Sequence, residues 1–474
     1  MSSSLVQTVI ASPAQTLGES AQQLRQDPLS ANDPRYTSLT AGRGTRELTK
    51  LEITLRNASK TANAFAKCAF VGNRGSGKST YLLHLEQELE KEGLFTPVHV
   101  YLDPSLETDC DYSDLFLWMV DRIANEFQDR EHPLDDKPLA DIVCWFADKS
   151  EISETEWKKE IGLTTEAAAS SNTGFPGIFS LKLLARLKSM IVGSEKSRKE
   201  IRKKVQNYAT ELRDLMNVFL DHAREVLQEA GKPVRLLIIQ DNLDRLKPRE
   251  KAQYLFDTGG DMLTSLRVDI IYTAPQVINI APLDIRQHFP HVCTMPNVKV
   301  RQQNGEPHDP GIEALTELIG KRLDLDSIFQ SKEVIQYLVE KSGGSVRDLL
   351  RLVDEAQLEA QVSEEPKVDM ASAKASVKKM SIGFTRLLLP GSVFYPILAE
   401  VRRTKREFTL TEAEATKERV DSTRAFFADL IGNGIILEYN GNDSWYDVHP
   451  TVCEIEAFQH VLAKAKAKKR RPKA

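Results

Sequence analysis

Val71-Gly72-Asn73-Arg74-Gly75-Ser76-Gly77-Lys78-Ser79-Thr80 decides how this chain is read. It fits the phosphate-binding loop pattern G-x-x-x-x-G-K-[ST]. Cys68-Ala69-Phe70-Val71 before it reads as a short buried strand, and Leu82, Leu85 and Leu89 after it keep helical spacing. In such a loop the glycines let backbone N–H groups curl inward onto phosphate oxygens. The following helix adds the positive end of its dipole. Residues Gly72 to Thr80 are therefore the predicted nucleotide contacts. Lys78 would reach the β- and γ-phosphates, and the Ser79 hydroxyl would hold Mg²⁺.

Composition narrows the rest. A chain of 474 residues is long enough for two or three domains. Apolar content of 41% and charged content of 28% are those of an ordinary globular protein. The five cysteines are scattered without a C-x-x-C pair, which argues against a zinc site or a disulfide framework and suits a reducing cytosol. No run of 18 apolar residues is present, so no transmembrane segment is expected, and the start of the chain does not read as a signal peptide. A net charge of −5 confines any nucleic-acid affinity to local patches. The expected location is cytoplasmic.

A second nucleotide signal lies downstream. Arg235 to Asp241 is an apolar strand ending in an aspartate, which in a phosphate-loop protein holds Mg²⁺ beside the loop. Asn242 follows, where a carboxylate that polarises water is usual. An amide orients water but does not take its proton at neutral pH. Asp244 is the candidate substitute base, or a turn or helix cap. Further strands are predicted at Thr96–Asp103, Val268–Pro275, with Thr273 near its end, and His291–Pro296. Strands alternating with helices imply a parallel sheet. Ligands then bind at its carboxyl ends, where Gly72, Asp241 and Thr273 would meet.

This order of phosphate loop, Asp-ended strand and polar-ended strand resembles AAA+ ATPases. Ser342-Gly343-Gly344-Ser345-Val346-Arg347-Asp348-Leu349-Leu350-Arg351-Leu352 resembles the lid segment of the origin-initiator branch. The resemblance implies that Arg347 contacts the γ-phosphate, that Thr273 senses it, and that Arg286 is a finger reaching a neighbouring subunit's nucleotide. Asp-Asn-Leu-Asp-Arg at 241–245 also resembles STAND and KAP-type signalling ATPases, which usually read Asp-Asp-x-Asp. Asn242 departs from both patterns, which puts the rate of hydrolysis in question rather than nucleotide binding.

Outside this core, residues 1 to about 30 read as a mobile arm within an N-terminal extension, 1–45. Arg35 is placed to fold back over a bound base, or else is a loop charge. The core is expected over 46–300, with a helical insertion at about 145–232 that includes one long helix, Glu200–Ala230. Lys182 to Lys204 carries nine cations against two acids, read as a solvated hairpin, a surface for nucleic acid or an acidic partner, or, last in order, a membrane-surface helix. A helical lid follows at 301–372. Residues 373–463 read as a winged helix, with helices Ser392–Arg403 and Ser422–Ile431 and a hairpin turning at Asn440-Gly441. Ser422, Thr423 and Arg424 would face a DNA groove. Thr385 to Ala463 nevertheless holds eight basic and twelve acidic residues, and only the tail 464–474 is basic.

The expected fold is α/β: a P-loop NTPase parallel sheet with helical insertion, helical lid and C-terminal winged-helix domain. The expected ligands are ATP and Mg²⁺. The leading functional expectation is a slowly hydrolysing switch ATPase, homo-oligomeric and acting on a separate effector protein. Resemblance to conflict-system ATPases puts it in bacterial anti-phage defence. The alternatives are a DNA-loading or DNA-remodelling AAA+ ATPase, binding nucleic acid through 182–204 and 464–473, and a nucleotide-stabilised scaffold that never hydrolyses ATP.

Overall fold

The computed structural model describes residues 12–44, 46–149, 177–193, 195–280, 285–388, 393–408, 417–439 and 444–469. Five strands form one parallel sheet: β1 (Lys67–Gly72), β2 (Thr96–Tyr101), β3 (Leu236–Asp241), β4 (Asp269–Ala274) and β5 (His291–Met295). Their order is β2-β3-β4-β1-β5. β1, β3 and β4 are buried on both faces, which is why they read as continuous apolar runs rather than as alternating ones.

Side chains still divide by parity, as a pleated strand requires. Cys68, Phe70, Leu237, Ile239 and Ile271 pack under helices Arg46–Ser59 and Lys78–Lys91, against Leu51, Leu55, Leu82 and Leu85. Ala69, Val71, Ile238, Ile270 and Tyr272 face the opposite layer. That layer includes helix Tyr112–Asp129, whose start is fixed by a capping box between Asp111 and Asp114. Burying a side chain such as Phe70 contributes roughly 2–3 kcal/mol. The sheet thereby becomes a rigid platform for whatever sits at its carboxyl ends.

The insertion differs from its expected form. The single helix predicted over Glu200–Ala230 is two, Glu195–Asn207 and Ala209–Glu229, interrupted at Tyr208. With helix Gly177–Gly193 they bury Leu184, Leu187, Ile191, Ile201 and Val205 against the ATPase layer. At least five of the nine cations of the basic stretch enter ion pairs. Arg198 and Arg202 pair with Asp109, Arg202 also with Asp114, and Lys188 with Asp121. Lys196 and Lys199 pair with Glu200 and Glu195 on their own helix.

The N-terminal segment also departs from expectation. Residues 12–30 are packed, not a mobile arm: Ala14 and Leu24 join the core of the lid, and Leu29 is buried. Three apolar side chains spaced too far apart to show a period are enough to seat this segment. The lid helices Asp309–Gly320, Lys332–Lys341, Val346–Val362 and Met370–Thr385 share that core.

The C-terminal unit comprises helices Phe394–Thr404 and Lys417–Gly432, the antiparallel pair β6 (Ile436–Tyr439) and β7 (Trp445–Val448), and helix Glu456–Lys469. The predicted turn at Asn440-Gly441, and the tail from 470 on, lie outside the described residues. The unit does not hang free. Phe427, Ile431 and Val448 share one cluster with Val277 and Ile278 of the ATPase core. Among the described residues no helix is long and apolar enough to cross a membrane.

Candidate nucleotide-binding site

The sheet brings the ends of β1 and β3 together, and a cavity opens above them. Its walls come from three directions: the loop, the N-terminal segment and the lid. Arg74, Gly75, Gly77, Lys78, Ser79 and Thr80 supply the floor. Gly72, Asn73 and Ser76 lie behind it, and the Gly72 and Asn73 carbonyls accept bonds from Lys78 Nζ at 2.8 and 3.1 Å. Gly75 has φ 88°, and a Cβ there would lie 2.6 Å from Cβ of Arg347. Only glycine combines that backbone with so close an approach.

Arg347 is the lid's contact with the loop. Its backbone N–H donates to Gly75 O at 3.3 Å. Burial, followed by the nearby charges of Arg74 and Arg351, lowers its pKa. Lys78 is 4% exposed and makes a 2.8 Å ion pair with Asp244. Asp244 therefore points at the loop lysine. Asn242 lines the cavity from a left-handed backbone, φ 67°.

Asp241 lies at the back and is fully buried. Burial alone would raise its pKa. Hydrogen bonds from His99, Ser79 and the Asn242 N–H outweigh burial and hold it at about 2. His99 lies on β2 with Nε2 3.3 Å from Asp241 Oδ2 and Nδ1 2.8 Å from Glu86 Oε2. Burial pulls the imidazole pKa down, but the two carboxylates raise it to about 9. A ring facing two acceptors can donate to both only when protonated.

Besides Gly72, Asn73, Ser76 and Asp241 behind it, the predicted residues Thr273 and Arg286 do not reach the cavity wall. Thr273 is fully buried, and its hydroxyl accepts from the Leu243 N–H at 3.2 Å, so it props the turn after β3. Arg286 is exposed on the short turn Ile285–Gln287, outside the cavity lining. Arg35 does line the cavity, held by a bidentate pair to Asp33 at 2.9 and 2.7 Å.

Sequence reasoning missed three contributors besides His99. Arg43, 4% exposed, donates to Ser76 O on the loop, and burial lowers its pKa to about 10. Arg322 of the lid donates to Arg35 O at 3.0 Å, and burial, then Arg35, lowers its pKa to about 10. Tyr36 stacks on His84 of the loop helix, ring centroids 4.1 Å apart. The cavity wall thus holds eight cationic side chains, Arg25, Arg35, Arg43, Arg74, Lys78, Arg245, Arg322 and Arg347, against Asp27 and Asp244. Buried Nε atoms of Arg43 and Arg322, Ser76 Oγ and Asn73 Oδ1 have no hydrogen-bond partner among the described residues.

Fold and site together define an α/β P-loop NTPase fold with a helical lid and a C-terminal unit whose helices and small antiparallel sheet are compatible with a winged helix. Similar solved structures include Cdc6p from Pyrobaculum aerophilum, at 14% identity, with 91% of this chain and 96% of that chain covered and a TM-score of 0.36. The Aeropyrum pernix ORC2 protein, in ADPNP and ADP complexes, is 10% identical over 89% and 94% of the two chains, TM-score 0.39. The Thermotoga maritima RuvB Holliday-junction branch-migration motor is 12% identical over 90% and 98%, TM-score 0.35. No protein-family model and no curated protein matches the sequence. At such identities and TM-scores, the fold assignment rests on the sheet and the loop themselves.

Proposed function

We propose that the chain binds ATP with Mg²⁺ in this cavity and acts as a slowly hydrolysing switch ATPase, its lid and C-terminal unit carrying the nucleotide state to a partner. Two cations of the cavity wall, Arg43 and Arg322, are buried with no carboxylate ion pair among the described residues, and they carry this reading. Burying a cation without a counter-charge costs several kcal/mol, and a polyphosphate compensates several at once. Lys78, Arg43 and Arg347 would bind phosphate oxygens. Ser79 and Asp241 would hold Mg²⁺: they are hard oxygen ligands, already within hydrogen-bonding reach of each other, and Asp241 stays ionised at any physiological pH. The metal neutralises charge on the β- and γ-oxygens when bound. The side chain of Asn242 would orient a water beside the γ-phosphate but take no proton from it, which would make turnover slow.

The decisive experiment is nucleotide binding by Lys78→Ala. No other loop residue supplies that point charge. Affinity measured by calorimetry should fall tenfold or more, on the order of 1.4 kcal/mol. Unchanged affinity would refute the site assignment.

The finer reading, a cytoplasmic homo-oligomer controlling a separate effector in anti-phage defence, rests on the sequence resemblance alone. DNA loading or remodelling is supported by a separate observation. Ser422 and Arg424 are exposed and Thr423 half-buried in the second turn of helix Lys417–Gly432, which begins at Lys417 rather than at the expected Ser422, while that helix's C-terminal half packs on the ATPase core.

A further inference from the structure

The chain from Glu86 through His99 to Asp241 has no role in the reading above beyond its effect on one pKa. We propose that His99 is a positioning residue for the divalent cation, fixing the Asp241 carboxylate relative to the Ser79 hydroxyl by tying it to Glu86 on the same helix that carries Ser79. This rests on the ATP–Mg²⁺ reading and deepens it.

The geometry is specific. Ser79 and Glu86 are seven residues apart on helix Lys78–Lys91, which is two turns, about 10 Å along one face. Ser79 touches Asp241 directly from the first turn. Glu86 touches it through the imidazole from the third, at 2.8 Å and then 3.3 Å. The strand end bearing Asp241 is therefore referenced twice to one rigid helix. β2 and β3 pair in parallel with His99 opposite Ile239 and Tyr101 opposite Asp241, so the ring has to reach two residues along the partner strand. The Tyr101 ring, 4.5 Å from the imidazole, flanks it. The carboxylate's other oxygen accepts the Asn242 N–H at 2.6 Å. With His99 removed, Oδ2 loses the imidazole donor and its link to Glu86, and the carboxylate is held by the Asn242 N–H and Ser79 alone. Groups that orient a ligand in this way typically alter metal affinity by roughly ten- to a hundredfold when removed.

The test separates the metal from the nucleotide. Wild type, His99→Ala, His99→Gln and Glu86→Ala are compared as full chains. A fluorescent ATP analogue is titrated with chelator present, and Mg²⁺ is then titrated at saturating analogue, with Mn²⁺ binding followed by electron paramagnetic resonance. The expected result for His99→Ala is analogue affinity within about twofold of wild type without metal, but a Mg²⁺ half-saturation raised by roughly tenfold or more. His99→Gln retains an N–H at the Nε2 position and should recover part of the shift, which a general loss of packing would not allow. Glu86→Ala should shift it in the same direction by less, and it decides the matter should His99→Ala fail to fold. Unchanged Mg²⁺ and Mn²⁺ dependence in the folded variants, beside a large shift in Asp241→Ala, would overturn the proposal and leave the nucleotide site standing. Absence of analogue binding by the wild type would instead sink the reading beneath it.

Discussion

Asp244 offers the sharpest discrimination, because its two possible roles predict opposite results. As a substitute general base it would serve turnover, and its loss would cut the rate by roughly 10²–10⁴-fold with affinity unchanged. The structure instead aims it at Lys78, 2.8 Å away, with the two side chains 3% and 11% exposed. Charges about 4 Å apart at an effective dielectric of about 20 attract by roughly 4 kcal/mol before desolvation. Lys78 also donates to two loop carbonyls, which hold it in place without Asp244. An incoming phosphate must share or displace the carboxylate and also feels its negative charge. If about a third of the gross attraction is recovered on removal, Asp244→Ala should bind ATP about tenfold more tightly, about 1.4 kcal/mol. The stability of the protein without ATP should fall, because Lys78 is left buried without its counter-charge. Saturating ATP should restore most of that loss. Calorimetry gives the affinity and thermal unfolding with and without ATP gives the rest. Weaker or unchanged ATP binding in a folded Asp244→Ala protein would refute the competition argument. A turnover collapse at unchanged affinity would reinstate the base.

Two further outcomes test the C-terminal unit. Glu438 on β6 is 5% exposed, and burial raises its pKa to about 7, although Ser444 and Gln276 hydrogen-bond it. A folded pKa above the unfolded value means that its contribution is full below about pH 4.5 and is lost as pH rises through 7, up to roughly 3 kcal/mol. Denaturant unfolding at pH 5.5 and pH 8 should show that loss, and Glu438→Gln should flatten it; an equally steep loss in the variant assigns the dependence elsewhere. For DNA, the described contacts are exposed cations, Arg424 on helix Lys417–Gly432 and Lys196 and Lys199 on the insertion, so any binding should be steeply salt-dependent and weakened in Arg424→Ala. Binding that survives Arg424→Ala but vanishes on removing 464–474 would give the contact to the tail, and no binding near roughly 50 mM salt would end the DNA reading.

What the sequence discloses follows from how far apart cooperating residues lie. The phosphate loop and Asp241 are legible because each is a contiguous run whose pattern is its geometry. Arg347 is legible through the glycines just before it. Arg43 and His99 are not, because their roles come from packing across 33 and 142 residues, onto Ser76 and Asp241. A histidine within an otherwise apolar strand was the available signal for His99, and strand pairing alone gives it a partner. The pairing of three of the basic stretch's cations is hidden for the same reason: Asp109, Asp114 and Asp121, partners of Arg198, Arg202 and Lys188, lie roughly seventy to ninety residues upstream. Thr273 sits near the expected strand end, yet the turn after β3 claims its hydroxyl.

The lid segment explains how nucleotide state could be felt at the C-terminal unit. Arg347 meets the phosphate loop at Gly75, and four residues earlier Gly343 O accepts the Tyr439 hydroxyl of β6 at 2.7 Å. Between them Gly344, at φ 83°, lies so close to the core that a Cβ would stand 1.6 Å from Val298 O. β6 is held to the core as well, through Asn297 N–H to Glu438 O at 3.1 Å and through Gln276 to the Glu438 carboxylate. Four residues span at most about 14 Å even when extended. A shift of Arg347 toward a phosphate cannot be absorbed at Gly344, where no slack exists, and must appear at one of its two neighbours. Packed interfaces respond to such a demand by switching arrangement rather than by deforming gradually. On the Gly343 side the lid meets the C-terminal unit through the Tyr439 hydroxyl, the Thr451 hydroxyl on Lys341 O at 3.3 Å and the Lys341–Glu454 pair, contacts worth about 1 kcal/mol net each or less. The contact between lid and C-terminal unit is therefore the element that nucleotide binding would bias first.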